Sequence, residues 1–214
     1  MKNLLILLTL FCLPFAGKAQ RRFDSGNTEL GFTVSPNLGW LRVTNPQNTG
    51  IKGNGSDAGV SYGVLADLGF ARNYYFSTAF VVTSINAKLS QPTSPGAGAG
   101  INTTAYKIQY VEIPLTLKLK TTPSDMGRFY GQFGLGTGVK ISGKQSTNGQ
   151  DKQKSNDANT LRLSLIAGAG AEWNINSDFK IQTGLTLNRG LSNTISSQYD
   201  VRSDYVALNL GIFF

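Results

Sequence analysis

Eight stretches of this chain alternate apolar residues with small or polar ones at a period of two, the pattern of β-strands with one greasy and one non-greasy face. In the first, residues 28–42, Leu30, Phe32, Val34, Leu38 and Trp40 share a face, with Gly31, Thr33, Ser35, Asn37 and Gly39 opposite. The second (58–70) sets Val60, Tyr62, Val64, Ala66, Leu68 and Phe70 against Ser61, Gly63, Asp67 and Gly69. The pattern returns at 74–89, 105–120, 128–142, 161–174, 179–188 and 204–214. In the fourth stretch Val111, Ile113, Leu115, Leu117 and Leu119 are odd-numbered, whereas the bulky Tyr106, Ile108 and Tyr110 are even. That change of phase, beside Pro114, predicts a β-bulge in the fourth strand.

The connections alternate in length. Long polar segments follow the odd strands (43–57, 90–104, 143–160 and 190–203), and short ones follow the even strands (71–73, 121–127 and 175–178). Short turns at one end and long loops at the other, on an even number of strands, mark an outer-membrane barrel with both termini in the periplasm. The expected fold is therefore all-β: an eight-stranded antiparallel up-and-down transmembrane β-barrel.

The second face of each strand argues for that orientation. It carries many glycines together with Asp67, Glu112, Lys118, Arg128, Lys140, Arg162, Glu172 and Lys180. On a soluble barrel this face would meet water, where glycine weakens a strand without return. Turned inward, small residues leave room in a narrow lumen for a few long charged ones. Leu, Val, Ile and Phe then face lipid, and Tyr62, Tyr74, Tyr106, Trp40 and Trp173 lie near strand ends, where aromatic girdles belong. A soluble lipocalin-like barrel is the alternative.

The N-terminus fits the same destination. Lys2, an apolar core from Leu4 to Phe15 and the small residues Gly17 and Ala19 form a secretory signal peptide over 1–19, leaving 20–214 as the barrel domain. The apolar core is too short to span a bilayer. Cleavage removes Cys12, the lone cysteine, and takes the net charge from +8 to +6 as Lys2 and Lys18 leave. With no histidine anywhere, most catalytic triads, zinc sites and imidazole acid–base schemes are excluded. A secreted chain without a clustered basic run gives no ground for a nucleic-acid partner. The expected partners are outer-membrane lipid and the barrel assembly machinery, for which a final strand ending on Phe214 is the membrane-insertion signal.

Three motifs invite sharper readings. Gly134, Gly136 and Gly138 resemble a phosphate loop, but they recur at period two inside a strand instead of opening a helix, so they read as lumen packing. Glu112, Glu172 and Asp67 are candidates for a paired-carboxylate site. The competing reading is a buried charge network of Asp67, Glu112, Lys118, Arg128, Lys140, Arg162 and Glu172, in which each charge needs a partner. Asn156, Asp157 and Asn159 carry calcium-type oxygens without the spacing of a known loop. No cofactor motif and no enzyme chemistry emerge; a narrow solute channel or a histidine-independent barrel enzyme are the alternatives.

The string Tyr110-Val111-Glu112-Ile113-Pro114-Leu115-Thr116-Leu117-Lys118-Leu119-Lys120 resembles the YxEIPLxLKxK segment of the Bacteroidetes outer-membrane β-barrel family that includes PorT-like proteins. The resemblance extends through the strand count, the glycine-rich stretches 134–138 and 168–172 and the aromatic C-terminus. It implies an integral outer-membrane protein, with some members associated with secretion and gliding machinery.

Overall fold

A computed structural model describes residues 28–44, 50–93, 100–150, 153–154, 159–196 and 200–214. The segment read as a signal peptide, Asn156 and Asp157 of the calcium reading, and residues 94–99 of the 90–104 connection lie outside them. The strands are β1 (Thr28–Val43), β2 (Lys52–Ala71), β3 (Tyr74–Pro92), β4 (Ile101–Lys120), β5 (Gly127–Thr147), β6 (Gln153–Lys154), β7 (Leu161–Asn174), β8 (Lys180–Gly190), β9 (Ile195–Ser196) and β10 (Asp200–Phe213). Eight of them are long, and each pairs antiparallel with the next in the order β1-β2-β3-β4-β5-β7-β8-β10. Pairing of β1 with β10, from Gly31↔Phe213 up to Val43↔Val201, closes the ring. Closure removes the edges that an open sheet would expose.

β2 to β5 run 19 to 21 residues, against 11 to 16 for the other long strands. One side of the barrel is therefore a taller wall, and residues 52–57, 101–104, 143–147 and 200–203, expected as loop, are strand. Above the apolar band the extensions of β2, β4 and β5 lose alternation, because both faces meet water, while the ladder to the neighbouring strand continues; on β10 Val201 and Ser203 stay buried.

The bulge belongs to β5, not β4. On β4 the even-numbered residues from Ile108 to Lys120 point inward with no change of phase, Pro114 being half-buried among them. Opposite them the register passes from Tyr110↔Lys140 to Gln109↔Ser142, so Ile141 is the extra residue. Sequence patterning could not locate it, because an inward tyrosine and an outward one look alike until the lumen's contents are known. Tyr106, expected in a girdle, packs inside against the lumen's apolar residues.

Pro114 acts differently. The β3–β4 pairs run to Thr78↔Leu115 and resume at Val81↔Glu112, a lapse that follows from proline's missing N–H. Thr78 Oγ1 donates to the Pro114 carbonyl at 2.9 Å, bridging the gap. The β1–β10 ladder lapses in the same way beside Pro36, between Val34↔Leu210 and Asn37↔Ala207.

Outside, the apolar face is bare: Phe32, Phe80, Phe133, Leu135, Leu165, Leu185 and Leu210 are all exposed. Toward the short turns the wall carries Phe70, Tyr74, Phe129, Trp173, Phe179 and Phe214, a lower aromatic girdle. Inside, Asp67, Lys118, Lys120, Arg162 and Glu172 are at most 3% exposed. A soluble barrel would show the reverse.

Candidate functional site

Among the described residues the lumen concentrates the buried ionisable chemistry, and it arranges that chemistry in layers. At the short-turn end, Lys118 and Lys120 project from successive inward positions of β4. Lys120 Nζ lies 2.6 Å from Glu29, 2.9 Å from Asp67 and 2.8 Å from Glu172. Lys118 Nζ sits 2.7 Å from Asp67 and donates to Gln182 Oε1 at 3.0 Å. Arg128 bridges Glu172 and Glu29 at 2.9 and 2.5 Å, and Lys180 meets Glu29 at 2.7 Å. Aromatic faces complete the layer, with Lys120 4.0 Å from the Tyr75 ring centroid and Lys118 4.8 Å from that of Tyr130.

Glu29, Asp67 and Glu172 hold carboxylate oxygens within 4.8 Å of one another, the spacing of a cation cage. The cage is filled by the protein itself: Lys120 Nζ touches all three acids, and Lys118, Arg128 and Lys180 occupy the remaining faces. With four cations on three acids, a divalent ion would have to displace partners already in place.

Six residues up β4, roughly 20 Å along the strand, lies a second network. Arg162 donates to Glu112 at 2.6 Å, to Asn188 Oδ1 at 2.7 Å and to both the hydroxyl and carbonyl of Ser203. Tyr205 donates its hydroxyl to the other Glu112 oxygen at 2.9 Å. A third pair, Arg42 with Asp204 at 2.9 Å, stands nearer the long-loop mouth.

Between the two charge layers lies a cavity of about 110 Å³ lined by Thr33, Ser35, Ser61, Thr83, Thr116 and Thr186 among others. Its hydroxyls share the lining with apolar Leu65, Val81, Ile166 and Ala207, and it is large enough for a few waters. Above Glu112 the lumen turns apolar: Ile85, Ile108, Tyr110, Tyr205 and Ala207 form one cluster, and Leu41, Ala87, Ile195 and Val201 a second. Ile195 comes from β9, a short piece of the last long connection tucked into the mouth and paired with β10 at Val201↔Ile195.

The inward glycines make this packing possible. A Cβ on Gly184 would strike the Tyr130 hydroxyl, and one on Gly138 would crowd the Glu112 side chain.

Asp67, Lys118, Arg128 and Glu172 thus meet in the lower layer, and Glu112 with Arg162 in the upper. Glu112 and Glu172 do not face each other, so they are no acid–base pair. Lys140, opposite Tyr110, is in neither layer's ion pairs. Glu29, Lys120 and Lys180 join the lower layer as partners that alternation alone does not mark; Glu29 stands at the very start of β1, where alternation has barely begun. Arg42, Asp204 and the apolar stoppers carried no signal short of the closed ring.

A comparison with curated proteins finds no match. Among solved structures the chain is similar to the outer membrane protein OprG from Pseudomonas aeruginosa, at 12% identity and a TM-score of 0.51 over 88% of this chain and 96% of that one. It is similar also to Neisserial surface protein A, at 13% identity and a TM-score of 0.47 over 86% and 95%, and to the attachment invasion locus protein Ail of Yersinia pestis, at 16% and 0.43 over 88% and 99%. At these identities the likeness speaks for the fold alone. The model of the outer membrane protein beta-barrel domain matches residues 18–196. A closed ring of eight up-and-down long strands, girdled outside by an apolar band and filled with paired charges within, together with that match, makes this chain an outer-membrane protein belonging to the outer membrane protein beta-barrel domain family.

Proposed function

We propose that this protein is a non-enzymatic barrel that serves as a structural, adhesive or secretion-associated component of the outer membrane, in the manner of PorT-like proteins, and acts through its rims and not through its lumen. The observation that carries the reading is the filling of the barrel at both ends. Four cations and three carboxylates close the periplasmic side, and two apolar clusters that include Ile195 close the outer mouth. Among the described residues this filling argues against passage of a solute and against entry of a substrate. The buried acids are held by cations and hydroxyls, which is the arrangement of a stabilising network and not of a general acid or base awaiting a substrate.

Its expected partners are outer-membrane lipid, the assembly machinery that inserts the chain, and secretion or gliding components in the periplasm or at the surface. Two measurements test the proposal. In planar bilayers the purified protein should leave conductance at the level of bare lipid; discrete single-channel steps would assign it to solute passage instead. Deletion of the gene should lower the amount of secreted or surface-displayed protein, and unchanged secretion together with unchanged adhesion would refute a role at the rims.

A further inference from the structure

The bulge at Ile141 has a chemical consequence on the outer wall. Below it, β4 and β5 pair as Tyr110↔Lys140; above it, as Gln109↔Ser142 and Lys107↔Lys144. Were the lower register continued, Lys107 would face Gly143, and Lys144 would lie opposite Tyr106, pointing into the apolar mouth. The extra residue turns Lys144 outward instead, a use to which bulges are often put. Lys107 and Lys144 are then directly opposed on the same face, both exposed.

Like charges directly opposite one another destabilise a sheet. Keeping Lys144 out of the mouth would require only some polar residue at that position, not a second lysine beside the first. Among the described residues no carboxylate lies within ion-pair distance of either one; the exposed Lys88, by contrast, reaches Asp57 at 3.6 Å.

Height in the membrane indicates an anion that would suit the pair. Exposed apolar residues on β5 run from Phe129 to Ile141, roughly 30 Å of membrane normal at a rise of ~3.4 Å per residue and a tilt of ~40°, about the thickness of the hydrocarbon layer. Lys144 stands three residues past Ile141, and Lys107 four past Val111. Both ammoniums therefore emerge at the headgroup level of the outer leaflet, with aliphatic stems able to reach along the wall.

We propose that Lys107 and Lys144 form a docking site for the phosphate groups of a phosphorylated outer-leaflet lipid, its acyl chains lying on the apolar face of β4 and β5 below. The inference rests on the membrane orientation of the barrel and is independent of any role in secretion.

The test uses the folded, full-length barrel in neutral detergent and native mass spectrometry with bis-phosphorylated lipid A, against the same glycolipid after enzymatic dephosphorylation. The wild-type protein should retain the phosphorylated form preferentially, and salt should weaken the preference. Lys107→Gln with Lys144→Gln should reduce retention roughly 10- to 30-fold, the sum of two surface cations acting on anionic lipid. Lys107→Arg with Lys144→Arg should keep it, and Lys52→Gln, at an exposed lysine on β2, should leave it unchanged. Thermal unfolding in the same detergent establishes that each variant is folded. Equal retention by the wild type and the double glutamine variant would overturn the proposal. So would equal retention of the two glycolipids, or competition by a soluble phosphosugar at the concentration at which the lipid binds.

Discussion

Glu112 shows what one residue in a closed lumen is worth. Its two oxygens take the Arg162 guanidinium and the Tyr205 hydroxyl, and all three groups are buried. Removing one partner of a buried ion pair leaves the other charged, desolvated and alone, which costs about 3–5 kcal/mol. Glu112→Leu is therefore expected to lower the thermal unfolding temperature of the barrel in detergent, and Arg162→Met to do the same. The double variant should recover most of the loss, since an apolar pair of similar volume replaces a charged one at little net cost. Additive losses in the double variant would show that the two residues do not act as a pair. Glu112, Arg162, Asp67 and Glu172 were legible as inward-facing because alternation assigns a face to every residue. Which acid meets which base was not, since partners such as Lys118 and Asp67 stand 51 positions apart and meet only once β2, β3 and β4 are in register.

At the scale of elements, the fourth long connection does more than link two strands. β9 pairs with β10 and seats Ile195 beside Leu41, Ala87 and Val201 at the mouth. Thr194 strengthens the seat, its hydroxyl hydrogen-bonding Ser203 at 2.9 Å. Ile195→Glu is expected to unseat this stopper, at a cost of about 2–5 kcal/mol for a buried apolar residue replaced by a charge. Hydrogen exchange should then quicken in the upper halves of β1 and β10 and stay slow at Lys118 and Lys120, because the lower charge layer is intact; exchange quickened throughout the barrel would mean that the stopper holds up the whole ring. Polar composition concealed this segment, as it concealed the upward extensions of β2 to β5. Above the membrane a strand no longer needs one greasy face, so the alternation that reveals strands lapses while their hydrogen bonds persist.

For the whole molecule, the decisive quantity is the contrast between wall and lumen. Leu135 sits midway along the exposed apolar run of β5, whereas Ile101 begins β4 well above it. Leu135→Arg is expected to destabilise the barrel in lipid bilayers by about 2–4 kcal/mol, and Ile101→Arg by roughly 0–1 kcal/mol, because the penalty for a charge depends on depth in the hydrocarbon. Reversible unfolding in vesicles measures both. Equal effects would place the two residues in the same solvent and contradict the membrane orientation.

What the amino-acid order determined alone is the architecture: strand number, the side of each strand that meets lipid, and the end that carries the short turns. These follow from a period of two and from turn length, both local properties that need no partner to express them. The tertiary structure decided everything that depends on closure. It divided the charges into two layers, filled a would-be cation cage with Lys120, turned Tyr106 inward, and moved the bulge from β4 to β5 so that Lys144 came to face Lys107. The charge layers and the mouth join residues from strands far apart in the chain, which a local period cannot match to one another, and the facing of Lys107 and Lys144 depends on where the β4–β5 register shifts, which alternation does not reveal.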